Sequence, residues 1–298
     1  GEVHAVPVAM TARTMVWNKN TFDKAGIEIP ATWDELLAAG ETFQTVLGDE
    51  YYPMVLTEYD RMIFMVWYLE SMYGKDWVTD GTLNYTEEEI QEGFAMLQQL
   101  EDKHVIPTIQ MIKDYGADPI DKSDRWINGY WAGIHAWDTG VMPPKLALPE
   151  DQQSGFTPAS MFEGLPYKGG FKKISMEFAI TSTCEHPVEA AAFLNFILNE
   201  EEGVMAMSGE RGVPASAAGL KIAQENNILD PLVIETSNLA LEAAEYVLDP
   251  YFEDAELKTS GEGLYYKVMS AHSYDQMTDE EAAKELAEGI TEVLNRDK

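Results

Sequence analysis

Trp137 is followed directly by Asp138, which sets an aromatic face beside a carboxylate that can accept hydroxyl hydrogen bonds. Sugars present flat apolar C–H faces ringed by hydroxyls, so a site for them needs aromatic platforms and planar polar groups together. Core packing is the competing reading of Trp137. A second group, Glu58-Tyr59-Asp60-Arg61, lies between a strand-like run and a helix, the place where α/β proteins hold ligands. Tyr59 and Asp60 are its candidate contacts. Trp67 falls inside an apolar helix, where packing is the simpler reading although a cleft-facing side is open to it. Arg211, between Glu210 and Gly212, could grip hydroxyls or simply pair with a glutamate. Trp17, Trp33, Trp77, Trp126 and Trp131 read as packing residues. The five histidines are scattered with no metal-ligand spacing, and no nucleophile elbow, phosphate loop or dinucleotide fingerprint is present. No metal and no cofactor is expected. A glycosidase pair of carboxylates stays open as an alternative, because sequence does not show which acids face each other.

The elements that must position these residues are α/β in pattern. The chain of 298 residues suits two lobes or one large domain, and 45% hydrophobic against 24% charged residues is a globular composition. A formal charge of -32, from 52 acidic and 20 basic residues, repels phosphate backbones and anionic lipid, so nucleic acid and direct membrane binding are not expected. The single Cys184 excludes an internal disulfide framework. Val3–Ala9 and Thr11–Asn18 read as strands, with Pro7 inside the first. A short helix ends at Gly26, and Thr32-Trp33-Asp34-Glu35 is a capping box opening a helix to about Val46. Tyr51–Thr57 reads as a strand, Asp60–Tyr73 as a helix closed by Gly74, and Thr86–Glu89 as a second capping box. Lys122–Gly129 reads as helical and Ala132–Trp137 as a buried strand, with 141–173 expected to be loops holding at most one strand. Ile174–Ile180 reads as a strand, Pro187 opens an apolar helix, and the pattern stays helical to Asp249. Thr278–Glu281 is a third capping box. The apolar stripe Ala282, Leu286, Ile290, Val293 and Leu294 follows it.

Three stretches carry a family resemblance. Val16-Trp17-Asn18-Lys19-Asn20-Thr21-Phe22-Asp23-Lys24-Ala25-Gly26-Ile27 followed by Pro30-Ala31-Thr32-Trp33-Asp34-Glu35-Leu36 is the most specific. Gly129 to Trp137 is the second, and Phe178 to Thr181 running on to Arg211-Gly212-Val213-Pro214 is the third. Together they resemble the family 1 extracellular solute-binding proteins, the sugar receptors of bacterial ABC importers. The resemblance implies a periplasmic-binding-protein-like type II fold, two α/β lobes built from discontinuous segments and closing on a solute. By this analogy residues 1–168 and 252–298 form lobe 2, and 169–251 are what remains of an incomplete lobe 1. It also implies a non-enzymatic receptor working outside the cytoplasm, with a carbohydrate ligand and ABC transporter permease subunits as partners. Membrane association would come only from an anchor in a missing N-terminal portion. The implied contacts are Trp137 at the cleft, Tyr59 and Asp60 in the sugar-contacting region, and Tyr265 or Tyr266 as a late aromatic, of which a helix would turn only one inward. Gly169-Gly170 reads as a hinge turn. A carbohydrate-active hydrolase and a solute receptor for a sensor kinase are the alternatives.

Overall fold

The computed structural model describes residues 4–116, 119–209 and 212–296. Strand β1 (Val6–Asn18) leads into helices α1 (Lys19–Ala25), α2 (Trp33–Leu47) and α3 (Glu58–Tyr73). A small ribbon, β2 (Val78–Thr79) and β3 (Thr82–Leu83), precedes α4 (Glu87–Asp102) and α5 (Ile109–Tyr115). Next come α6 (Asp124–Ile127), β4 (Gly133–Trp137), α7 (Met142–Ala147), β5 (Phe156–Ala159) and β6 (Phe171–Phe178). Four helices follow, α8 (Pro187–Asn199), α9 (Glu201–Met207), α10 (Ala217–Glu225) and α11 (Pro231–Ala243), before β7 (Tyr246–Val247) rejoins the sheet. The chain closes with α12 (Ala255–Lys258), α13 (Leu264–Ser273) and α14 (Asp279–Asn295).

Long-range pairing is organised around β1. Its second half, Arg13–Trp17, runs antiparallel to β4, while β5 pairs antiparallel with Met15–Asn18 on the opposite edge. Its first half, Val6–Ala12, runs antiparallel to β6, which in turn takes β7 in parallel. The two strand-like runs of the sequence are therefore one strand. Register shifts between Pro7 and Ala9 and again between Ala9 and Met10 absorb the missing N–H of proline. Only a glycine fits at the start of β4, because a Cβ on Gly133 would sit 2.3 Å from the Trp17 ring and 2.8 Å from the Pro53 carbonyl oxygen.

Local signals set the helix ends. Thr32, Thr86 and Thr278 each accept from the third helical amide, while Glu35, Glu89 and Glu281 reach back to the cap amides. Gly26 and Gly74 end α1 and α3 in the left-handed region. Three expectations need correction, the first being that the pattern stays helical to Asp249, since Tyr246–Val247 is a strand that pairs with β6. Tyr51–Thr57 is not a strand. It makes only isolated parallel bridges, Tyr52 to Trp131 and Val55 to Ile134, since Pro53 cannot donate to a ladder. The Pro- and Gly-rich stretch 141–173 contains helix α7, whose first turn carries Pro143 and Pro144 where no N–H is needed. It also contains β5 and the start of β6.

One large core joins β1, α1 to α4, α13 and α14, with Trp33, Phe64, Trp67 and Phe162 as its aromatic centre. Ala282, Leu286, Ile290, Val293 and Leu294 face inward from α14 as one stripe, packed against α4 and α13. A second core lies under β4 around Trp126, Trp131 and Ile134. Helices α9 and α10 share a small cluster, Val204, Ala223 and Leu229, α11 packs Ala240 against Ala12 of β1, and Val188 and Phe193 of α8 are exposed.

Gly169 and Gly170 take φ of +64° and +83°, and a Cβ on Gly169 would lie 2.3 Å from Ser71 Oγ, so this turn is closed to other residues. Beside it Glu70 is fully buried. Burial and the nearby Asp76 and Glu245 charges push its carboxyl well above the usual carboxylate range, opposed by the backbone amides of Gly170 and Trp77. The sign for stability follows from that raised value. Glu70 contributes fully below its unfolded pKa of roughly 4.3 and progressively less as pH climbs toward the higher folded value. Glu70→Gln is therefore expected to gain on the wild type in melting temperature as pH is raised from 5 to 8. A pH-independent difference between the two melting curves would contradict this.

Candidate functional site

The register around β1 gathers the chemistry. Arg13 lies opposite Trp137 of β4, and Thr11 lies opposite Lys173 of β6, so directly paired and alternate residues bring all four side chains to one face of the sheet. The Arg13 guanidinium carbon is 5.3 Å from the Trp137 ring centroid, and the Lys173 ammonium is 4.6 Å from it. Phe171, two residues before Lys173, meets the same indole edge to face at 6.2 Å. The ring is half-buried, packed against the edge of the large core.

The first turn of α3 and the turn after β7 complete the rim. Arg13 Nη2 donates to Asp60 Oδ1 at 2.5 Å, and Thr57 Oγ1 donates to Asp60 Oδ2 at 2.8 Å. The Tyr59 hydroxyl donates to Glu253 Oε1 at 2.8 Å, Lys173 pairs with the same oxygen at 2.9 Å, and Lys258 pairs with Oε2. Asp138, almost fully buried, accepts from Thr11 Oγ1 at 2.5 Å.

The electrostatics follow from that packing. Burial alone would raise the Glu253 carboxyl, but the Lys258 and Lys173 ammoniums and the Tyr59 hydroxyl hold it below the usual carboxylate range. Burial pulls the Lys173 ammonium down against the attraction of Glu253. Burial, followed by the Glu253 charge, raises the Tyr59 hydroxyl. Burial raises the Asp138 carboxyl, with the Thr11 hydroxyl opposing it. His135 is kept neutral, driven well below its usual value by burial and then by the Arg13 charge. The result is an aromatic face with cations, a phenol and carboxylates around it, which can stack on a ring and bond its substituents. Among the described residues no group of three or more His, Cys, Asp or Glu is placed to hold a metal ion. No described helix is long and apolar enough to cross a membrane.

Trp137, Asp138, Tyr59 and Asp60, all singled out from the sequence, thus fall in one cluster. Trp67 does not join them, being 2% exposed within the aromatic core. Tyr265 is fully buried, its ring 5.1 Å from Phe252 and its hydroxyl donating to the Phe252 carbonyl at 3.3 Å, so it packs the core rather than a cleft. Tyr266, the next residue of α13, is half-buried. Arg211 lies outside the described residues. Sequence reasoning missed Arg13, Lys173, Glu253 and Lys258. Arg13 alone carried a signal, as the one charged residue within Val6–Asn18.

The sequence pattern of the family described as bacterial extracellular solute-binding protein matches residues 3–204, more than half of the chain. A periplasmic solute-binding protein from Pectobacterium atrosepticum superposes with a TM-score of 0.88 at 29% identity, over 98% of this chain and 73% of that one. A periplasmic oligogalacturonide-binding protein from Yersinia enterocolitica, in complex with saturated digalacturonic acid, gives 0.88 at 31% identity, over 99% and 74%. A candidate binding protein of Brucella abortus is 42% identical over 52 residues, a match spanning 17% of this chain and only 13% of that protein. The fold is that of the two-lobe solute-binding proteins. This chain belongs to the bacterial extracellular solute-binding protein family.

Proposed function

We propose that the chain is the extracytoplasmic receptor of an ABC importer, binding a short glycan between two lobes and delivering it to a membrane permease without chemically changing it. Residues 1–168 and 252–298 form one lobe in this reading, and 169–251 belong to the other. The observation that carries it is the Trp137 ring, held on the face of β4 with Asp138 behind it and Tyr59 and Asp60 at its rim. An indole stacks on the C–H face of a pyranose, and the polar rim takes the hydroxyls. The sugar bound by the Yersinia neighbour supports the carbohydrate class. Lobe closure fits this reading, in which β1 and Glu253 belong to one lobe and β6 to the other, so that the Trp137 cluster draws on both.

A thermal-shift screen with mono- and oligosaccharides tests the reading, since a ligand that binds only the folded state raises the melting temperature by mass action. A subset of glycans is expected to raise it. Trp137→Ala is expected to weaken the best of them tenfold or more, about 1.4 kcal/mol, with no product formed. Absence of any shift across the panel, or turnover of a glycan, would sink the proposal.

A further inference from the structure

The rim around Trp137 is richer in positive charge than a neutral sugar requires. The Arg13 side chain is 7% exposed, and one of its nitrogens donates to Asp60. Its Nε and Nη1 are closed off from solvent and have no partner among the described residues. Buried N–H groups are almost always bonded, and leaving one unmade is costly, more so when it carries charge.

Asp60 and Glu253 are already engaged, while Asp138 keeps one buried oxygen, Oδ2, without a partner among the described residues. Asp60 accepts from Thr57 and Arg13, Glu253 from Tyr59, Lys173 and Lys258, and Asp138 from Thr11. Lys173, over the same indole, has one bond to Glu253 and further donors to spare. His135, neutral and next to the guanidinium, adds no charge. The chain as a whole is strongly acidic, at -32, and its field repels anions. Two cations on one ring, matched by Asp60 and Glu253, leave this spot locally balanced within a strongly acidic protein.

We propose that the ligand is a sugar acid, whose ring stacks on Trp137 while its carboxylate takes the unpaired N–H groups of Arg13 and the ammonium of Lys173. This rests on the receptor reading above and narrows it to glycans bearing carboxylates. Asp60 and Glu253 hold the two cations in place until the ligand arrives. Because those Arg13 N–H groups are closed off in this rim, the ligand reaches them only as the rim shifts, which links site occupancy to the start of α3 and to the turn after β7.

The test is calorimetric titration of the whole chain with digalacturonate and with its methyl ester, which keeps the rings and removes the charge. The acid is expected to bind at least tenfold more tightly than the ester and to weaken as salt is raised from 50 to 300 mM, as expected for a charge-dependent contact. Arg13→Gln and Lys173→Gln are each expected to weaken the acid far more than the ester and so to remove most of that preference. Lys173 is partly exposed, so its variant serves even if Arg13→Gln folds poorly. Equal affinity for acid and ester, or a preference surviving in Lys173→Gln and in a folded Arg13→Gln, overturns the sugar-acid assignment and leaves the receptor reading standing. So does binding of a neutral glycan from the panel when neither probe binds. Failure of every sugar removes both.

Discussion

Glu101→Leu is expected to destabilise the fold by about 3–5 kcal/mol, because it strands a buried guanidinium. Arg61, in the first turn of α3, is 1% exposed. It pairs with Glu101 of α4 and donates to the backbone carbonyls of Pro107 at 2.8 Å and Leu56 at 3.3 Å. Glu101 Oε1 also accepts from Ser273 Oγ of α13 at 2.6 Å, and that hydroxyl accepts from the Ile109 amide at 3.0 Å. One carboxylate thus ties three helices and the entry to α5. Burial pulls the Arg61 guanidinium down from its usual value, with Glu101 opposing it, so removal of Glu101 leaves a charge that the surroundings do not solvate. Urea denaturation of the variant checks the size. The double change Arg61→Leu with Glu101→Leu is expected to recover most of the loss, since apolar residues replace a buried pair at little cost. A single variant within about 1 kcal/mol of the wild type would show that the pair is solvated after all. Because Tyr59 and Asp60 precede Arg61 directly, the same variant is expected to weaken ligand binding in whatever fraction remains folded.

Trp67→Ala is expected to cost a comparable amount, about 3–5 kcal/mol, by leaving a cavity. Its indole meets Phe64 at 5.1 Å, Phe162 at 5.9 Å and Trp33 at 6.2 Å, and its backbone carbonyl accepts from Ser71 Oγ at 2.8 Å next to the Gly169 turn. Packing of this density relaxes only in part around a missing ring. Denaturant midpoints measure the loss, and titration measures what it leaves untouched. The contrast with Trp137→Ala separates the two roles: Trp67→Ala should lower stability with ligand affinity of the folded protein kept, and Trp137→Ala should lower affinity with most of the stability kept. Loss of binding in a folded Trp67→Ala would place that ring at the ligand instead.

Features encoded over a few residues were legible in the sequence. The capping boxes at Thr32, Thr86 and Thr278 and the helix stops at Gly26 and Gly74 depend on side chains three residues apart or on one backbone angle, and they hold in the structure. The Tyr51–Thr57 reading failed because apolar alternation does not reveal whether a neighbouring strand can accept the pairing, and Pro53 broke it. Helix α7 was hidden by prolines that suit a helix start as well as a loop. For the site, Trp137, Asp138, Tyr59 and Asp60 stood out by residue type and by position between elements. Arg13, Lys173 and Glu253 did not, because what unites them is the register of β1 with β4 and β6 and the return of the chain at residue 253. No local pattern carries that register. Tyr265 and Tyr266 show the same limit, since helical geometry turns one of the pair inward and only the packing of Phe252 shows where inward leads.

The pairing of β1 also sets a timetable for synthesis. All its ladder partners lie between Gly133 and Phe178, so the strand leaves the ribosome with nothing to bond. At about 5–20 residues per second, roughly 10 to 30 s separate Asn18 from Phe178. Until β4 emerges, earlier in that interval, Arg13 to Trp17, a β-prone run with one charge, is an unpaired edge able to join a second nascent copy. A chaperone that holds this run until β4 and β5 have emerged is expected to raise the yield of folded protein more than one that acts after release.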